Sequence, residues 1–130
     1  LNYQPLNSMR LWGHVLSHMN LEDHVIWASI SQDVRAQMHA ADENDGGLVS
    51  FLLNAPEANI SAVFNEKADG KVEVSLRARP GFDVSALALS LGGGGHPQAA
   101  GCIIPGPLAA APPRLMQLLV AAATPANSIS

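Results

Sequence analysis

A single cysteine, Cys102, in a chain of 130 residues excludes an internal disulfide. It lies in an apolar, strand-like stretch with no evident activating base, which marks a packing residue rather than a nucleophile. Long hydrophobic runs are missing too. None reaches the roughly 18 residues a membrane-spanning helix needs. The start shows no charged segment followed by an apolar core, so no secretory signal is read there, and a cytoplasmic location is the default expectation. Charge is scarce: seven Lys and Arg against eleven Asp and Glu, a formal net of −4. Long-range attraction to a nucleic-acid polyanion is therefore not built into the whole surface. An initiator methionine is absent as well, since the sequence opens on Leu1. The chain is accordingly expected to be a processed protein or a piece of a longer one.

What is present is apolar. Residues of the AVILMFWYC set make up 48% and charged residues only 14%, which excludes a disordered chain. The length suits one domain over residues 1–130 with a core of its own, fraying over 124–130. No internal repeat is evident.

Most of the chain's information lies in Gly92-Gly93-Gly94-Gly95-His96, followed by Pro97-Gln98-Ala99-Ala100-Gly101. A run without side chains lets backbone amides approach a ligand and adopt positive φ. Successive N–H groups in such a turn form a concave nest for an anion. His96 at its exit adds a hydrogen bond or, when protonated, a charge. A flexible linker looks similar, but apolar helical pattern precedes this run and Ala99–Ile104 resumes the core at once. The stretch reads as a phosphate or nucleotide cradle. Pro97 is expected at the first position of a new helical turn.

The remaining pattern predicts alternating elements. Leu11, Trp12, Val15, Leu16 and Met19 mark one face of a helix over 7–19. His14 and His18 fall on its polar face, but the pair lacks a third ligand and the metalloprotease glutamate. Residues 24–30 read as a buried strand. Ser31 is placed as the N-cap of a short helix to about residue 39. The acidic run Asp42-Glu43-Asn44-Asp45 precedes a helix over 46–54 and favours its positive end. Asp69-Gly70 is a strong turn signal between strands 60–65 and 71–79. Period two in the second strand puts Val72, Val74, Leu76 and Ala78 on one face, and Glu73, Ser75, Arg77 and Arg79 on the other. That polar face is either a solvated surface or the wall of an anion site, because guanidinium matches phosphate oxygens. Lys67, Lys71, Arg77 and Arg79 are four of the seven basic residues within thirteen positions, a local positive lean. A helix near 84–91 with Asp83 as cap, a short strand 102–104, and a helix 108–123 with Pro112-Pro113 in its first turn complete the chain. The expected fold class is α/β: a single domain whose mixed sheet of about four strands is flanked by helices, with the glycine-rich loop at the ligand cleft.

Ser75-Leu76-Arg77, a short helix, Gly92-Gly93-Gly94-Gly95-His96 and Ala99-Ala100-Gly101 together resemble the DHH-associated C-terminal domain of the DHH phosphoesterase superfamily. That group includes RecJ-type exonucleases, nanoRNases that also hydrolyse 3′-phosphoadenosine 5′-phosphate (pAp), and cyclic-di-AMP phosphodiesterases. The sharp match covers 74–104, and Ser-Leu-Arg is most similar to the nanoRNase and pAp-phosphatase branch. The resemblance implies a substrate-binding module. A separate N-terminal domain would hold divalent metal, usually Mn2+, and the two would share a cleft. Carried over, Arg77, Gly93, Gly94, Gly95 and His96 would contact phosphate, sugar or base; Arg79 is an extension from strand geometry. The implied partners are a nucleotide phosphate or short RNA or DNA, and the N-terminal DHH domain. A homodimer through apolar surface freed from a severed interface is a further expectation.

The departure from the family is the metal site. The Asp-x-Asp and Asp-His-His motifs are absent, and Asp23-His24-Val25 only grazes the second. Without those ligands the chain is expected to bind and not to cut, with no catalytic or metal-binding residue and no cofactor of its own. Two other readings remain. One is an RNA-binding or assembly module like the C-terminal domain of alanyl-tRNA synthetases. The other is a structural domain whose glycines serve only tight packing.

Overall fold

In the computed structural model, residues 6–40 and 47–125 are described. The acidic run 42–45, residue 46 at the start of the expected third helix, and the tail from 126 lie outside them. The chain runs α1 (Leu6–Leu16), β1 (Asn20–Glu22), β2 (Val25–Ile30), α2 (Gln32–Gln37), α3 (Leu48–Leu52), β3 (Ile60–Glu66), β4 (Val72–Ala78), α4 (Ser85–Ser90), β5 (Gly94–His96), β6 (Ala99–Ile104) and α5 (Ala111–Ala123). The strands form one mixed sheet in the order β1-β2-β3-β4-β6-β5. Among the described residues only β2 and β3 pair in parallel, joined by a helical crossover.

Among the described residues six strands replace the four expected. The two additional ones are the three-residue edges β1 and β5, both exposed throughout. Asn20-Leu21-Glu22 has no apolar period to announce it, and glycine is a poor strand former. The strand expected at 102–104 begins three residues earlier, at Ala99. Helix α1 stops at Leu16, so Met19 falls beyond it and is 49% exposed rather than buried on the helix face. The rings of His14 and His18 stack at 4.7 Å, with His18 Nδ1 2.9 Å from the His14 carbonyl oxygen. Ser31 caps α2 by accepting from the Val34 amide at 3.1 Å. The Asp83 carboxylate accepts from the Ser85 hydroxyl and, second, from the Ser85 amide at the start of α4, which holds its pKa below the ordinary value.

Each sheet face carries a core. On one, Val25, Ile60, Ala62, Phe64, Val72, Val74, Leu76, Cys102 and Ile104 pack under α4 and α5, which contribute Leu87, Ala88, Leu115 and Leu119. Trp27 meets Phe64 edge-to-face there, with ring centroids 5.9 Å apart. On the other face, Ile26, Ala28, Ile30 and Val63 pack against Leu11, Val15, Leu48 and Leu52 of α1 and α3. This second core stops at β3. Accordingly β3 is buried over its first five residues, whereas β4 alternates buried and half-buried along its whole length. Two-sided burial gives near-continuous apolar strands; one-sided burial gives alternation. The sheet is thus covered on both sides at β2–β3 and open on one side across β4, β6 and β5.

Candidate functional site

The open half-face is ordered by strand register. Arg77 pairs with Ala99, and Ala99 with His96. Cross-strand partners point the same way, so Arg77, Ala99 and His96 form a row across three strands. Two residues along, Ser75, Gly101 and Gly94 form a second row, and Glu73 and Ile103 begin a third. Small residues, Ala99 and Gly101, occupy the middle strand of the first two rows. The result is a shallow trough with Arg77 and Ser75 on one bank and His96 on the other. Beyond it lies a pocket of about 380 Å³ lined by Glu73, Ser75, Gly92, Gly93, Gly101 and Ile103, with Val74 and Cys102 completing the lining.

The polar side chains are available. Arg77 is half-buried and donates once, from Nη1 to its neighbour's carbonyl at Leu76, 2.8 Å. The rest of its guanidinium has no hydrogen-bond partner among the described residues. His96 is exposed, and neither it nor Ser75 nor Glu73 is engaged by another described side chain.

Arg79 behaves differently. It lies past the end of β4, and its Nε donates to the Ala58 carbonyl at 2.6 Å while Nη2 donates to Leu53 and Ala55 at 2.6 and 2.7 Å. Leu53 is the C-cap of α3, where carbonyls lack helical partners and a cation is favoured. The expected second guanidinium of an anion wall is therefore a clamp between α3 and β3. Lys67 and Lys71 face each other across the hairpin turn, bonded backbone to backbone at 2.8 Å. The length of β4, about 20 Å, separates them from Arg77, so the four clustered basic residues do not converge.

The glycine run is not the loop that was expected. Gly92, with φ +87°, ends α4: its amide donates to Leu89 and the Gly93 amide to Ala88, the paired bonds of a Schellman cap. Those two amides are spent within the fold and cannot form a nest. Residues 94–96 then form β5, and Pro97-Gln98 make the tight turn into β6 rather than open a helix. The turn is held by its carbonyls, Pro97 accepting from Val84 and Gln98 from Ala78. A Cβ on Gly93 would lie 2.1 Å from the Gly101 carbonyl oxygen, and one on Gly95 2.5 Å from that of Ala99. Both glycines let β5 lie close against β6. Gly94 alone of β5 has open space where a side chain would be, on the trough side. As an edge strand, β5 also turns alternate backbone groups outward.

The described residues include no cluster of three His, Cys, Asp or Glu that could hold a metal ion, and none of their helices is long and apolar enough to cross a membrane. The site is thus made of a guanidinium with a single bond to its neighbour's carbonyl, a hydroxyl and an imidazole over a floor of small residues. It belongs to an α/β module with one half-open sheet face.

The DHHA1 domain family matches residues 26–124, and the chain belongs to that family, the DHH-associated domain of DHH phosphoesterases. It is 33% identical over 108 residues to the bifunctional oligoribonuclease and PAP phosphatase NrnA of Thermus thermophilus, covering 82% of this chain and 32% of that protein. It is 27% identical over 104 residues to the NrnA of Mycoplasma genitalium, covering 80% and 32%. The chain thus spans about a third of the length of the curated relatives it matches. Among solved structures, an exopolyphosphatase-related protein from Bacteroides fragilis superposes with a TM-score of 0.84 at 23% identity, over 92% of this chain and 36% of that one. The pGpG-specific phosphodiesterase PggH from Vibrio cholerae superposes with a TM-score of 0.65 at 16% identity, over 90% and 40%. These two likenesses are of fold.

Proposed function

We propose that this chain is the substrate-holding module of a metal-dependent DHH-family phosphoesterase, and that it grips a phosphate of a nucleotide or short oligonucleotide on the open half-face of its sheet. The observation that carries this reading is the row Arg77–Ala99–His96 on the uncovered side. An anion above Ala99 lies within reach of the Arg77 fork and the His96 ring, and Ser75 and Gly94 border it one row along. Guanidinium supplies charge and two-pronged geometry. The exposed imidazole supplies a donor. The relatives named as oligoribonucleases and PAP phosphatases act on substrates with such phosphates.

Hydrolysis belongs to a second domain, in which a divalent metal such as Mn2+ would activate water. This chain's part is to fix the nucleotide so that its scissile bond faces that metal, an orientation effect. Anisotropy of a labelled dinucleotide, pApA, tests the reading. Wild type is expected to bind and Arg77→Ala to bind at least tenfold more weakly, with folded tRNA competing poorly. Equal affinity in the two proteins, or a preference for tRNA, overturns it.

A further inference from the structure

The pocket beyond the trough has a chemistry of its own. It lies on the same face as Arg77, over the second and third rows, and its volume of about 380 Å³ falls in the range of small-ligand sites. Ile103 is 52% exposed at one wall, a large apolar side chain beside open space. Gly93 and Gly101 leave flat backbone without side chains. Glu73, the cross-strand partner of Ile103, is the one charged side chain lining it among the described residues. A second phosphate does not suit such a site, because a carboxylate repels it and no lining cation compensates. A flat, uncharged ring with hydrogen-bond donors on its edge does.

We propose that this pocket receives the base of the nucleotide whose phosphate rests at Arg77, and that Glu73 makes guanine the preferred base. The proposal rests on the preceding reading of the trough. Along β4 the order Arg77, Ser75, Glu73 repeats the order of a nucleotide laid beside it: phosphate, ribose, base. Ser75 falls under the sugar, where its hydroxyl can donate or accept. Guanine presents two adjacent donors, N1–H and the N2 amino group, which match the two oxygens of a carboxylate in a bidentate pair. Adenine and cytosine present one amino group beside an acceptor nitrogen, and uracil one N–H between two carbonyls. Each leaves a Glu73 oxygen unpaired or facing a lone pair. A good bidentate pair discriminates by about tenfold or more.

Calorimetric titration of the 130-residue chain with the 5′-monophosphates of guanosine, adenosine, cytidine and uridine tests this. The wild type is expected to bind the guanosine nucleotide about tenfold more tightly than the others. Glu73→Gln keeps the size of the side chain and one acceptor. It is expected to abolish that preference, weakening the guanosine nucleotide about tenfold and changing the other three less than twofold. Four equal wild-type affinities, all weakened by Arg77→Ala, overturn the base pocket and leave the phosphate reading standing. A guanosine preference that survives Glu73→Gln overturns the role of Glu73. Failure of any nucleotide to bind overturns both readings together.

Discussion

Arg77 and His96 stand in one row of the sheet with Ala99 between them, two strands and about 10 Å apart. Their side chains rise from the same face, and the residue between them is too small to fill the gap. Enlarging it should close the site without touching either polar group. Ala99→Leu is expected to lower pApA affinity at least tenfold while shifting the thermal midpoint by no more than about 2 °C, because Ala99 is half-buried on an open face. Undiminished affinity in that variant places the ligand elsewhere.

The two arginines at the end of β4 should separate cleanly. Arg77→Ala removes one bond to an adjacent carbonyl and is expected to cost under about 1 kcal/mol of stability. Arg79→Ala strands the carbonyls of Leu53, Ala55 and Ala58 and is expected to cost about 2–4 kcal/mol. Urea unfolding of both variants, alongside pApA titration of the folded fraction, reads the difference. Arg79→Ala should keep its affinity while folded. The reverse assignment, a stable Arg79→Ala that no longer binds, contradicts the clamp.

Neighbouring glycines give a steric contrast. Gly93→Ala drives a methyl into the Gly101 carbonyl and is expected to destabilise by about 2 kcal/mol or more. Gly94→Ala places its methyl in open space and is expected to stay within about 0.5 kcal/mol of wild type. Equal losses in chemical denaturation argue against the close approach of β5 to β6.

Much of this arrangement was legible in the sequence. The alternation Val72-Glu73-Val74-Ser75-Leu76-Arg77-Ala78 states that one side of β4 is buried and the other open, and the Asp69-Gly70 turn fixes its pairing with β3. Other features depend on contacts far apart in the chain. Arg79 has the right parity for the open face, but three carbonyls from residues 53–58 reach it only once α3 packs beside β3. Four glycines read as a loop because their strand propensity is low. Their need for one another's side, Gly93 against Gly101 and Gly95 against Ala99, is a tertiary fact. Lys67 and Lys71 are near Arg77 in number, yet the hairpin carries them to the opposite end of the strand.

Cys102 offers a test of the covered face. Burial among apolar side chains pushes its thiol above the ordinary value of 9.0. Between the unfolded and folded values the native state holds a proton the unfolded chain has lost, so stability is full below 9.0 and falls as pH rises above it. Urea midpoints from pH 8 to 10.5 should therefore decline more steeply in wild type than in Cys102→Ala. Parallel slopes mean that the thiol is not sequestered.

The most direct test of where phosphate binds is a 1H–15N shift map of the chain titrated with pApA. The amides of Arg77, Ala99 and His96 are expected to move together with one saturation curve, while those of Leu115 and Leu119 under the opposite face stay fixed. Shifts centred on α5, or none at the Arg77 row at saturating nucleotide, contradict the account.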